Sequence, residues 1–276
     1  MGKTTTIKFH DGHEMPQLGF GIWQVPQEIA GEAVKSAIET GYRMIDGAYL
    51  YMNEPGLGEG VKAASVPRED LFITTKVWNT DHGRDKARAS VERSLKNIGV
   101  DQLDLVLIHW PVPSQDKYVE TWKAFIEMRD EGMMRSIGVS NFNKDHLERI
   151  IAETGEVPVL NQIEVNPELQ QPDMRAFHAE HDIVTQAWTP LGNARSFEAD
   201  PIVNAAKRTG KSPAQVIIRW HLQLGNAVIP RSVKPHRQAE NLDVFDFTLT
   251  DAEIEAITTL DVGLRTGPDP SVFKMM

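Results

Sequence analysis

The chain has 276 residues, no cysteine and a formal net charge of -10 at pH 7. Its length allows one large domain or two ordinary ones, and a 41% hydrophobic content is enough for a sizeable core. The acidic balance argues against a nucleic-acid coat or an anionic membrane partner. The lack of cysteine excludes disulfides, thiolate catalysis and Cys-ligated metal centres.

The stretch Met1–Lys8 lacks the apolar run of a signal peptide, and no window approaches the length of a membrane span, so the expected location is cytoplasmic. Segments 6–10 and 13–17 flank Asp11-Gly12, a hairpin turn signal. Leu18–Gly21 reads as a short strand. Ile29, Ala30, Ala33, Val34, Ala37 and Ile38 recur at helical spacing over 27–40, and Gly41 ends that helix.

Strand and helix then alternate. Strands are expected at 42–46, 71–76, 103–109, 135–140, 159–164, 183–188 and 227–229. Helices are expected at 54–64, 84–98, 119–131, 144–154, 173–181, 201–209 and 213–224, with Ser212 capping the last. Thr250 and Glu253 form a capping box before a final helix to residue 260, and the tail from Val262 reads as a loop. Eight strands separated by helices, with no linker between them, fit one domain over 1–276. The expected fold is an α/β (β/α)8 TIM barrel with an N-terminal β-hairpin.

In such a barrel chemistry sits at the C-terminal strand ends. Here those ends are polar: Asp46, Lys76, His109, Ser140-Asn141, Asn161-Gln162 and Glu164, then Trp188. Lys76 follows five residues with little charge, where a cation needs a carboxylate partner, and Asp46 can supply one. Tyr51 lies five residues beyond Asp46, and a nearby ammonium favours ionisation of a phenol. Separately, Asp46–Lys76 could be a structural ion pair, His109 a core histidine, and Tyr49 and Tyr51 packing aromatics. Together, on adjacent strand ends, they favour proton-transfer chemistry.

After the eighth strand comes Pro230-Arg231-Ser232-Val233-Lys234-Pro235-His236-Arg237, three fixed cations with Pro235 placed to begin a helix. This suits a phosphate, although a solvated basic turn is an equal reading. Gly56-Leu57-Gly58-Glu59-Gly60 lacks the spacing of a Rossmann fingerprint.

Along nearly its whole length the chain resembles the aldo-keto reductase family. The motifs are Gly41–Asp46, Tyr51 with Asn53-Glu54, Leu71–Trp78, Asp104-Leu105 with His109-Trp110-Pro111, Ile137–Phe142, Asn161-Gln162, Pro190–Gly192 and Ile229–Val233. Asp116–Val119 and Arg135–Asn141 are most similar to the bacterial 2,5-diketo-D-gluconic acid reductases. The resemblance implies a barrel using NADPH (NADP), with Tyr51 as general acid supported by Asp46, Lys76 and His109. It assigns Ser140, Asn141 and Gln162 to the nicotinamide carboxamide and Trp188 to the nicotinamide ring. It places Arg231, Ser232, Val233, Lys234 and Arg237 at the cofactor phosphates, and Glu240 and Asn241 at adenine. It makes Trp23, Trp78 and Trp110 pocket walls, and Tyr49, beside the acid, is expected to join them. It implies a monomer without a metal.

The departures are Gly47 and Tyr49, where relatives carry Thr and small residues, together with Met52 and Pro55. Tyr51 keeps the family's spacing from Asp46 and is preferred to Tyr49 as the acid. The expected reaction is reduction of a keto-sugar acid, α-ketoester or small dicarbonyl to the alcohol. A catalytically silent NADPH-binding regulatory protein is the alternative. A metal-dependent hydrolase is disfavoured, because no paired-His motif stands at a strand end.

Overall fold

The computed structural model describes residues 5–275, so the reading of residues 1–4 lies outside it. The hairpin pairs β1 (Thr6–Lys8) with β2 (Glu14–Pro16). Its Asp11-Gly12 turn closes through Phe9, whose N–H reaches His13 O at 2.8 Å.

Eight parallel strands follow: β3 (Phe20–Gly21), β4 (Met44–Asp46), β5 (Phe72–Val77), β6 (Leu103–Ile108), β7 (Met134–Ser140), β8 (Leu160–Glu164), β9 (Val184–Trp188) and β10 (Ala227–Val228). They pair in chain order. The sheet closes where Gly19 N–H meets Val228 O at 2.8 Å and Val228 N–H meets Gln17 O at 2.9 Å. Closure removes the free edges.

The outer layer holds α1 (Gln27–Thr40), α2 (Glu54–Ala63), α3 (Arg84–Ile98), α4 (Tyr118–Asp130), α5 (Lys144–Thr154) and α6 (Pro172–Glu180). It continues with α7 (Asp200–Thr209), α8 (Pro213–Gln223), α9 (Pro235–Leu242) and α10 (Asp251–Thr258). Strand ends differ from the expected ones by a residue or two. Tyr42 precedes β4 and instead donates its hydroxyl to Gln238 O at 3.2 Å. Lys76 is the penultimate residue of β5.

Residues two apart in a strand share a face. One set, including Ile45, Ile73, Val106, Ile108, Ile137 and Val139, packs in the large cluster with buried helix residues. The alternate set begins with Met44, Phe72, Leu105 and Leu160, which form a second cluster with Phe9 and Met15 of the hairpin. Followed toward the C-terminal ends, that same set becomes Asp46, Lys76, His109 and Gln162. The interior therefore changes along its axis from an apolar floor, plugged by the hairpin, to a polar rim. Among the described residues no helix is long and apolar enough to cross a membrane.

Candidate active site

Asp46 and Lys76 come from neighbouring strands, and both are almost fully buried. Lys76 Nζ donates to Asp46 Oδ2 at 2.6 Å, to Gly47 O at 2.8 Å and to Tyr51 OH at 3.3 Å. An ammonium has three donors, so all three are used. The other Asp46 oxygen accepts from Gln162 Nε2 at 2.8 Å, and Gln162 is itself tied to Gln186 at 2.7 Å.

Tyr51 stands in a single 3-10 turn, Tyr49–Tyr51, between β4 and α2. Two buried side chains just beyond it fix that turn. Asn53 donates to Ile22 O and Val25 O, both at 2.8 Å, and Glu54 accepts from Thr75 at 2.7 Å and Asn97 at 3.0 Å. Gly47 fits because space is short: an added Cβ would lie 2.9 Å from Leu57 Cδ1. His109 follows β6, its ring 5.0 Å from Trp78 and 5.8 Å from Tyr51, both edge-on.

The electrostatics differ from the sequence expectation in one respect. Burial raises the Tyr51 pKa above its ordinary value of 10.0; Lys76 lowers it, as expected, but does not win, and Asp46 adds to the rise. The phenol thus keeps its proton at neutral pH. Burial disfavours the Lys76 charge, yet Asp46 and Tyr51 together hold its pKa above the ordinary value. His109 is pushed well below 6.5 by burial, then by the charge of Lys76 and by His82, so it is a neutral imidazole at pH 7.

The polar rim opens into one cavity of about 710 Å³, within the usual range for a small-molecule site. Its lining brings together Asp46, Tyr51, His109, Trp23, Trp78 and Trp110 with Ser140, Asn141, Gln162 and Trp188, and with Arg231, Arg237, Glu240 and Asn241. Asn141 (φ +61°) donates to His109 O at 3.0 Å and accepts from Trp188 Nε1 at 2.8 Å. Trp23 is half exposed at the mouth. Arg231 donates to Trp23 O and Gln24 Oε1, both at 3.1 Å, across the barrel seam.

Five expected site residues lie outside the lining, and Lys76 is one, buried behind Asp46 and Tyr51. Tyr49 packs beneath the Arg93 guanidinium, 3.8 Å from its ring centre, and behind Trp78 and Trp110, while Leu50 stands in the lining. Ser232, Val233 and Lys234 form the outer bend into α9, where Ser232 Oγ accepts from Lys234 N at 3.2 Å and Val233 is exposed.

Besides Ser212, Pro213 and Ala214 at the start of α8, two lining segments were given no site role from the sequence. One is the loop after β9, which contributes Thr189, Leu191, Asn193 and Phe197. The other is the C-terminal tail, which contributes Gly267 and Pro268 and lays Phe273 on Trp110 at 4.3 Å. Phe273, the one aromatic in the tail, is the sequence signal for that contact.

The aldo/keto reductase family model matches residues 17–262. The chain belongs to the aldo/keto reductase family. An aldo-keto reductase of Mycolicibacterium smegmatis is 52% identical over 97% of both chains. A protein of Escherichia coli K12 named methylglyoxal reductase DkgA is 51% identical over 99% of both. Among solved structures, Gox0644 in its apo form superposes with a TM-score of 0.96 at 48% identity, covering 99% of this chain and 100% of that one. A point mutant of Gox0644, solved in complex with NADPH, matches with the same TM-score and coverage at 47% identity. Among aldo/keto reductases, then, this chain carries a buried Asp–Lys–Tyr array at the end of a closed barrel.

Proposed function

We propose that the protein reduces a small carbonyl with NADPH, with Tyr51 giving the proton to the nascent alcohol oxygen. The observation carrying this reading is the continuity of one cavity from Arg231 and Arg237 to the Tyr51 hydroxyl. Family membership and the NADPH complex of the relative Gox0644 support the same cofactor.

The residues present fit that cofactor. Arg231 and Arg237 suit its phosphates, with Glu240 and Asn241 beside them for adenine. Ser140, Asn141 and Gln162 offer polar groups for a carboxamide, and Trp188 offers a ring face. When bound, NADPH supplies hydride to the carbonyl carbon.

The chain's own residues handle the proton. Lys76 has only donors, so the Tyr51 oxygen accepts from it and the phenolic hydrogen is left free for a substrate oxygen. As Tyr51 loses that proton, the Lys76 ammonium stabilises the phenolate, and Asp46 keeps Lys76 charged. Neutral His109 helps to orient the carbonyl oxygen.

Within this reaction a 2-oxoaldehyde such as methylglyoxal is the preferred substrate, ahead of keto-sugar acids and α-ketoesters. The name of the Escherichia coli relative supports that order. The test is NADPH oxidation, followed by absorbance, against methylglyoxal, 2,5-diketo-gluconate, an α-ketoester and an aromatic aldehyde. Turnover is expected with methylglyoxal foremost. Turnover with none of them, while NADPH still quenches tryptophan fluorescence, would replace the reductase with a silent binding protein.

A further inference from the structure

The C-terminal tail meets the barrel at one buried carboxylate. Glu164, the last residue of β8, is fully buried. Its Oε1 accepts from Thr266 N at 2.8 Å and from Thr266 Oγ1; its Oε2 accepts from Gly267 N at 3.0 Å and lies 4.0 Å from Arg265 Nη1. This fixes residues 265–267 as a strap across the rim.

Gly267 is pressed against Trp188 by that strap. A Cβ on Gly267 would lie 2.4 Å from Trp188 Cη2 and 3.2 Å from Cζ2, closer than packed carbons come. The same edge of the indole carries Nε1, beside the Cζ2 corner, and is tied there to Asn141 at 2.8 Å. That one edge therefore meets both its hydrogen-bond partner and the backbone of the strap.

We propose that Gly267, anchored by Glu164, is a positioning residue that sets the Trp188 plane and with it the cofactor wall. This rests on the NADPH reading above. In a Gly267→Ala chain something must move. The strap is held by several bonds to one carboxylate, whereas the indole is held by one, so the ring yields and the Trp188–Asn141 bond opens.

The test compares NADPH affinity, by equilibrium dialysis, and Tm in five proteins: wild type, Gly267→Ala, Glu164→Gln, Trp188→Phe and the double variant Gly267→Ala/Trp188→Phe. Gly267→Ala should bind NADPH about tenfold more weakly, the scale of a local overpacking shift, with Tm close to wild type. Glu164→Gln puts an amide N–H where a carboxylate oxygen accepts, frees the strap and should also weaken binding. The double variant lacks the ring edge that the new methyl strikes, so adding Gly267→Ala to Trp188→Phe should cost much less affinity than adding it to the wild type. A merely structural role would not produce that difference.

Native affinity in Gly267→Ala, or an equal loss when the same change is made in Trp188→Phe, overturns the positioning role while leaving the reductase reading intact. If the wild type itself fails to bind NADPH, the cofactor reading falls and this inference falls with it.

Discussion

Removing the charge of Asp46 while keeping its shape should be costly, and the cost should be recoverable. Lys76 is fully buried and meets one carboxylate, one carbonyl and one phenol at 2.6, 2.8 and 3.3 Å. In Asp46→Asn the ammonium loses its one carboxylate partner among the described residues. The new amide must also choose between accepting from Gln162 and accepting from Lys76. Breaking one side of a buried pair costs about 3–5 kcal/mol. For a chain of this size that corresponds to a Tm drop of roughly 6–20 °C.

Lys76→Met should cost a similar amount, because it leaves the carboxylate buried without its cation. The double variant Asp46→Asn/Lys76→Met removes both charges and should regain much of the loss, giving a coupling energy of about 2 kcal/mol or more. Urea titrations and thermal melts of the four proteins measure this, and carbonyl reduction should stay abolished in the double variant. Additive losses, with the double variant as damaged as the sum of the singles, would refute the buried pair as the source of the cost.

Stability should also fall steeply with acid. Burial lowers His82 and His178 to about 4 and His221 to about 3, and His109 lies well below 6.5. Each takes up a proton on unfolding but not in the folded chain. Their contribution is present above pH 6.5 and is lost as pH falls from there toward 4, at about 1.4 kcal/mol per pH unit per histidine. Urea midpoints that stay level from pH 7 to 5 would contradict this. Arg237→Ala should weaken NADPH binding about tenfold or more through loss of a charge-assisted phosphate contact, and should leave NADH nearly unaffected. Equal losses for both cofactors in a quenching titration would move Arg237 away from the distinguishing phosphate.

The barrel was legible because its strands alternate so regularly. Met44 and Asp46, Phe72 and Lys76, or Leu105 and His109 share one face by parity alone, so polar strand ends in the sequence become one polar rim in space. Boundaries were less exact, because Tyr42 has an apolar strand-like side chain but a tertiary partner in Gln238.

The direction of the Tyr51 shift was not legible. Sequence spacing reveals the neighbouring cation but not the depth of burial, which outweighs it. The place of Tyr49 was not legible for a related reason. Its ring packs under Arg93 of α3 and against Trp78 and Trp110, contacts set by helix packing rather than by local pattern. The tail was read only as a loop, since its role depends on Glu164 and Trp188 from distant strands.

The central claim is that Tyr51 gives the proton, and one comparison tests it most directly. NADPH oxidation with methylglyoxal would be measured for wild type, Tyr51→Phe and Tyr49→Phe, with NADPH affinity recorded for each. Tyr51→Phe should bind NADPH normally and lose turnover by about 10²–10⁴-fold, while Tyr49→Phe, outside the cavity, should reduce near the wild-type rate. Near-native turnover in Tyr51→Phe, with the loss appearing in Tyr49→Phe, would contradict the account.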